Sequence, residues 1–148
     1  MSELSNIVSC NKPATIIAKV ITFDEPNING RIYKKENFME KFESGFPKGK
    51  PVYYYEDNMT GFECRPEKWL GHLTDYKIDG NDLVCEFKAC DRDSLPEFFD
   101  YVNSDNKRHR VVLNAIGTVD KNNIVDVSRV ASFSIQYFGD KWCRIEFI

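Results

Sequence analysis

The sequence PNINGRIY, residues 26–33, separates an apolar run at residues 14–21 from an amphipathic segment that follows it. Asn29 and Gly30 indicate a turn, because both residue types adopt a positive φ at little steric cost. Arg31 places a guanidinium group directly after this turn. The stretch therefore predicts a strand-to-helix turn, and its arginine is either solvated or used in binding.

The composition is that of one globular domain. The chain has 148 residues, and its 42% of hydrophobic side chains is enough for a single core. A net charge of −3 and a basic run limited to residues 107–110 predict no sequence-specific nucleic-acid partner. No apolar stretch reaches the roughly 18 residues that a membrane helix requires, so we expect no membrane partner.

The cysteines and histidines do not form a ligand pattern. Five cysteines have no paired spacing, and the two histidines stand apart in the sequence. Zinc and redox sites need such side chains to converge, and scattered cysteines are typical of reduced, structural thiols. We therefore predict no metal site and no cofactor.

The hydrophobic periodicity predicts strands with a few helices. Residues 34–44 and 93–103 have the apolar stripe of amphipathic helices. Strands are predicted at residues 14–23, 52–55, 68–78, 83–90, 110–114, 124–127, 130–138 and 142–148. The first of these should be central in its sheet, because it is apolar on both faces. Residues 79–82, with a glycine, predict a hairpin loop.

These elements predict a domain organisation and a fold class. Residues 1–13 are polar and are predicted to form a flexible N-terminal arm. Residues 14–148 are predicted to form a single β-rich domain. The predicted class is α+β, with a mainly antiparallel β-sheet or barrel and two or three helices.

The pattern Asn-x-Asn-Gly-Arg-x-Tyr at residues 27–33, after an N-terminal strand, resembles the start of the prohead (capsid maturation) proteases of tailed bacteriophages. The fold of those proteases resembles that of herpesvirus assemblin. The order of elements extends the resemblance over residues 14–138. Residues 70–80 resemble the glycine-led strand and Asp-Gly hairpin of the family, residues 115–119 its glycine-rich turn after the nucleophile strand, and residues 130–135 its closing strand. The resemblance implies a prohead protease-like fold.

The chain departs from that family where the chemistry should be. A serine protease needs a nucleophilic serine and a histidine base. The family's base lies on the strand that corresponds to residues 52–57, which contain no histidine. Its nucleophile precedes the glycine-rich turn, where this chain has Asn114 and Ala115, and neither residue forms an acyl-enzyme. We therefore expect a non-catalytic relative, with no catalytic residues.

Two rearranged catalytic pairs stay open as alternatives. His72 with Ser132, on the closing strand, is the pair that would act if the chain were active after all. Cys85 or Cys90 with His72 is a similar arrangement. The other interpretation is that His72 and Ser132 are ordinary strand residues and that the thiols are buried and structural.

A retained fold without catalysis implies binding. The resemblance implies a non-catalytic structural protein associated with a bacteriophage capsid. It would be an auxiliary protein, a decoration protein or a protein that assists head assembly. Its partners would be the major capsid protein or other phage head proteins, with a homo-oligomer within the capsid as a further option. It would reside in the virion, and in the host cytoplasm during assembly. The alternatives are an active serine-type prohead maturation protease that processes capsid or scaffold proteins, and a host-interaction protein.

Four residues are the predicted contacts with such a partner: Arg31, Tyr33, Tyr53 and Tyr55. Tyrosine offers a large contact area at a low cost in side-chain entropy, which is why interfaces are enriched in it. The alternative interpretation is that these aromatic side chains belong to the core.

Overall fold

A computed structural model describes residues 7–11, 15–27, 29–55, 69–89 and 109–137. These residues form eight β-strands and one α-helix. The strands are β1 (Ile7–Asn11), β2 (Thr15–Thr22), β3 (Ile32–Tyr33), β4 (Pro51–Tyr55), β5 (Trp69–Asp79), β6 (Asp82–Ala89), β7 (His109–Val119) and β8 (Ile124–Tyr137). The helix α1 spans Lys35–Ser44.

All eight strands belong to one sheet; seven follow the order β1-β2-β6-β5-β4-β8-β3, and β7 pairs with β8 beside this path. The long strand β8 pairs with β7 along nearly its whole length. It also pairs in parallel with β3 near its start and with β4 near its end. The other five pairings are antiparallel. Because β7 lies close to β1 and β2 at the opposite end of the order, the sheet is nearly closed, like a barrel.

The α+β prediction with two or three helices is wrong. The described residues are mostly in strands, with α1 as their single helix. Residues 115–119, which resembled a glycine-rich turn, continue β7 and pair with β8. Cross-strand hydrogen bonds to a long neighbour override the local tendency of a glycine to break a strand. The helix predicted at residues 93–103 and the strand predicted at 142–148 lie outside the described residues.

Several local predictions are confirmed. β2 is paired on both sides, by β1 and β6, as a central strand requires. β5 and β6 form the predicted hairpin, and Gly80 has φ +63° in its loop. The helix predicted at residues 34–44 is α1, and it buries Phe38 and Phe42. By contrast, Ile7–Asn11, within the segment predicted to be a flexible arm, form β1 and pair with β2.

One apolar cluster, to which strands β2 to β8 and α1 all contribute, forms the core. The helix packs on it through aromatic rings: Phe38 contacts Phe23, Tyr33 and Phe42 at centroid distances of 5.4–5.8 Å. Burying one such ring contributes about 1.5–3 kcal/mol to stability. These contacts hold α1 against the sheet and fix the direction in which the chain leaves its C-terminal end.

Candidate functional site

Three polar side chains form a buried cluster on neighbouring strands, Asn114 on β7 and Ser132 and Ser134 on β8. The Asn114 Nδ2 group donates hydrogen bonds to Ser132 Oγ at 3.1 Å and to Ser134 Oγ at 2.9 Å. The Ser134 hydroxyl donates in turn to Asn114 Oδ1 at 3.3 Å. We call these three residues the Asn–Ser cluster.

Strand periodicity places the Asn–Ser cluster on the face opposite the core. Successive side chains of a strand point to opposite faces, and Leu113 and Phe133, which alternate with the cluster, belong to the core. The register of β7 and β8 shifts beside the cluster: Asn114 pairs with Ser132, but the next residue, Ala115, pairs with Val130. This bulge bends β8 at the point where the polar residues meet.

The chemistry available to the cluster is limited. A serine becomes a nucleophile when a base accepts its proton, and a neutral asparagine amide is not such a base. The Ser132 side chain is also only 3% exposed, which keeps a substrate from its hydroxyl. The cluster instead satisfies its own buried hydrogen-bonding groups, as buried polar side chains in stable proteins do. Its geometry suits a structural link between β7 and β8.

His72 and Ser132 are not on neighbouring strands. Pro51 of β4 pairs with His72 of β5, and Val52 pairs both with Gly71 and with Phe133. Pro51 therefore lies in the same cross-strand row as His72 and Ser132, between them. Two strand spacings separate their backbones by roughly 10 Å. Strand β4 thus lies between His72 and Ser132, the two residues that an active enzyme would need.

The alternative thiol nucleophile is also placed unfavourably. Cys85 of β6 is fully buried in the core and is a free cysteine. Loss of solvation raises the pKa of its thiol to about 12. Because the thiolate is the reactive form, a thiol with this pKa is inert near neutral pH. Cys90, the other candidate, lies outside the described residues.

The turn at residues 26–33 is closed by hydrogen bonds from Asn27. Its Oδ1 atom accepts from the backbone N–H groups of Asn29 at 2.8 Å and Arg31 at 3.0 Å. The Gly30 N–H donates to the Asn27 carbonyl at 2.9 Å, and Gly30 has φ +78°. The turn is therefore confirmed, but it leads into the short strand β3 rather than directly into the helix.

The predicted contact residues divide into two groups. Arg31 is half-buried beside the turn, and Tyr33 is only 4% exposed, with its ring against Phe38 in an edge-to-face contact. Tyr33 is thus a core residue, which is the alternative that the sequence left open. Tyr53 is half-buried on β4. Tyr55 ends that strand, and its side chain lies outside the described residues.

The strand register separates these two groups. Tyr33 pairs with Val125 of β8, whereas Tyr53 pairs with Ser134. Val125 and Ser134 are nine positions apart on β8, which is roughly 30 Å along the strand. The predicted residues therefore do not form one continuous contact surface.

Sequence reasoning missed two features. The first is the Asn–Ser cluster as a unit; polar residues at alternating positions of two apolar strands were its signal. The second is Phe46, the most exposed large hydrophobic residue of the described chain, at 83% exposure. It lies just after the helix predicted at residues 34–44 and was given no role there.

Two further properties concern ligands and membranes. Across the described residues, no group of three or more His, Cys, Asp or Glu side chains is arranged to hold a metal ion. In the same part of the chain, no helix has the length and hydropathy needed to span a bilayer.

Comparisons with protein-family models, curated proteins and solved structures give no match to this chain.

Proposed function

We propose that this chain is a non-catalytic structural protein associated with the capsid of a tailed bacteriophage. It would act as an auxiliary or decorating component, or during head assembly, by binding the major capsid protein or another head protein. It would occur in the virion, and in the host cytoplasm while heads assemble. The phage assignment rests on the resemblance of residues 27–33, and of the order of elements, to prohead proteases.

The observation that carries the non-catalytic part is the state of Ser132. Its hydroxyl is buried and accepts a hydrogen bond from Asn114, and β4 lies between it and His72. A working serine nucleophile needs a base within hydrogen-bond reach and access for the substrate. Ser132 has neither a neighbouring base on β7 nor an exposed hydroxyl, so binding is the function that this geometry supports best.

The experiment that tests the proposal incubates the purified protein with heads assembled from the phage's major capsid protein. Co-sedimentation measures binding, and intact-mass spectrometry of every component measures cleavage. We expect the protein to sediment with the heads and all masses to stay unchanged. Ser132→Ala is the matched control, and it should behave as the wild type does in both readouts.

Two results would contradict the proposal. Cleavage of the capsid or scaffold protein that disappears in Ser132→Ala would identify a maturation protease instead. Failure of the wild-type protein to sediment with heads would remove the capsid as its partner.

A further inference from the structure

The loop that follows α1 presents Phe46 to solvent in an unfavourable conformation. Phe46 is 83% exposed and has φ +54°, in the left-handed region. A bulky residue rarely adopts a positive φ, because its Cβ crowds the neighbouring carbonyl oxygen. Pro47 restricts the backbone of Phe46 further, since a proline disfavours helical conformations at the residue before it.

Folding alone does not account for this arrangement. A single exposed hydrophobic side chain is common on protein surfaces, and so is a left-handed residue in a helix-ending loop. Glycine or asparagine would adopt the left-handed conformation at lower cost, and either would expose less apolar surface. Phe46 has both disadvantages at one position, and unfavourable backbone conformations of this kind cluster at functional sites.

The backbone around Phe46 is held in place on both sides. The Phe46 N–H donates to the carbonyl oxygen of Glu43 at 3.3 Å, which ties the residue to the last turn of α1. On the other side, the Gly49 N–H donates to the Leu73 carbonyl at 2.8 Å, and the Leu73 N–H donates to the Lys50 carbonyl at 2.9 Å. A loop whose backbone is already held in place loses little backbone entropy on binding.

Polar side chains flank the loop. The Tyr76 hydroxyl donates to Glu43 Oε2 at 3.2 Å. Lys48 Nζ lies 3.6 Å from Asp75 Oδ1 and 6.0 Å from the centroid of the Tyr76 ring. Polar side chains beside an exposed aromatic residue are typical of the rim of an interface. These neighbours carry two negative charges and one positive charge, which does not favour the anionic surface of a membrane.

We propose that Phe46 is the anchor through which this chain docks on an apolar pocket of a second, folded head protein. The partner would have a pocket of the size of a phenyl ring with a neutral or basic rim. This inference rests on the proposed function and adds to it the residue that makes the contact. It differs from the contacts predicted from the sequence, none of which lies in this loop.

The test compares Phe46→Asn with the wild type in the co-sedimentation assay. Asparagine tolerates a positive φ, so the folded state should keep its stability or gain some. Ile116→Thr is the matched control, because Ile116 is the other exposed large hydrophobic residue of the described chain, at 41% exposure, and lies on β7. Threonine keeps the β-branched shape that a strand favours.

We expect Phe46→Asn to weaken binding to heads about thirtyfold or more, the loss typical of a hot-spot residue. Its midpoint of urea unfolding should equal or exceed that of the wild type, and Ile116→Thr should bind heads normally. Loss of binding without loss of stability separates an anchor from a structural residue.

Five results would overturn the inference. Wild-type affinity of Phe46→Asn for heads would leave the proposed function intact and remove Phe46 as its anchor. A lower unfolding midpoint of that variant would make Phe46 a structural residue. If the wild type self-associates in sedimentation velocity and Phe46→Asn does not, the partner is a second copy of this chain. If the wild type floats with vesicles of phosphatidylcholine and phosphatidylglycerol and Phe46→Asn does not, the partner is a membrane. Failure of the wild type itself to bind heads would overturn the inference together with the proposed function.

Discussion

Asn27 and Asp120 close two adjacent turns with the same set of hydrogen bonds. In each turn, the side-chain Oδ1 accepts from the backbone N–H groups two and four residues later. In each, the fourth residue has a positive φ, Gly30 in one turn and Asn123 in the other. The turns are joined by a hydrogen bond of 2.8 Å from the Ile32 N–H to the Asn123 carbonyl. This pair of turns positions the short strand β3 beside β8.

The Asp120 turn offers the first prediction. Asp120→Ala removes the acceptor of two backbone N–H groups and should lower the free energy of unfolding by about 1 kcal/mol. Asp120→Asn should lose much less, because Asn27 makes the same bonds with a neutral amide. Urea unfolding of the two variants measures the difference. Equal losses would mean that the charge of Asp120, rather than its hydrogen bonds, stabilises the turn.

Two glycine-to-alanine substitutions should differ in cost for distinct reasons. A Cβ at Gly117 of β7 would clash with the Asp126 carbonyl oxygen, so the strands must move apart. We expect Gly117→Ala to lower the free energy of unfolding by about 2 kcal/mol or more, as overpacking does. Gly30 has open space around it, and Gly30→Ala should cost only about 1 kcal/mol, from its positive φ. Thermal unfolding compares them, and a larger loss for Gly30→Ala would contradict the close approach of β7 and β8.

The buried thiol of Cys85 predicts a loss of stability at alkaline pH. Burial raises its pKa from 9.0 to about 12, so above pH 9 the unfolded chain ionises while the folded chain does not. The unfolded state is then favoured, and stability contributed by the protonated thiol falls as the pH rises between 9 and 12. Between pH 8 and pH 10, ionisation of this thiol in the unfolded chain should lower the free energy of unfolding by about 1.4 kcal/mol.

Cys85→Ala is the control for that measurement. It retains every other titrating group, so its loss of stability between pH 8 and pH 10 should be smaller than that of the wild type by this amount. Identical pH dependence in the two proteins would contradict the burial of the thiol. Alkylation followed by peptide mass spectrometry gives a second readout, in which Cys85 should react in urea and stay unmodified in the folded protein.

The Asn–Ser cluster should be sensitive to the loss of Asn114, which hydrogen-bonds both serines. Asn114→Ala removes the amide that donates hydrogen bonds to the buried hydroxyls of Ser132 and Ser134, and it should cost about 2–3 kcal/mol. The triple variant Asn114→Val, Ser132→Ala, Ser134→Ala replaces all three polar side chains and should recover part of that loss, because the buried hydroxyls that bonded Asn114 are removed as well. Urea unfolding tests both. A triple variant less stable than Asn114→Ala would show that the cluster contributes more than the satisfaction of its own groups.

Local patterns predicted much of the fold. The apolar stripe of Phe38 and Phe42 located α1, and the glycine at residue 80 located the hairpin between β5 and β6. The pattern failed where a strand depends on distant partners. Residues 115–119 contain a glycine and appear turn-like in isolation, but their pairing with β8 makes them a strand. The parallel contacts of β8 with β3 and β4 likewise arise from tertiary structure.

The candidate site was less predictable, because its features depend on burial and register. Asn114 was singled out as a residue that cannot act as a nucleophile, but its hydrogen bonds to two serines on β8 depend on how the strands align. Tyr33 was expected at a surface because tyrosine is common there, yet its ring packs on α1. Phe46 was not singled out, since neither its exposure nor its positive φ follows from its residue type.

The proposed association with a phage capsid is best tested by quantitative mass spectrometry of mature heads purified from the source of this chain. The account predicts the intact 17.2 kDa chain in a fixed stoichiometric ratio to the major capsid protein. Absence of the chain from mature heads, with self-cleaved fragments confined to precursor particles, would contradict it and identify a maturation protease.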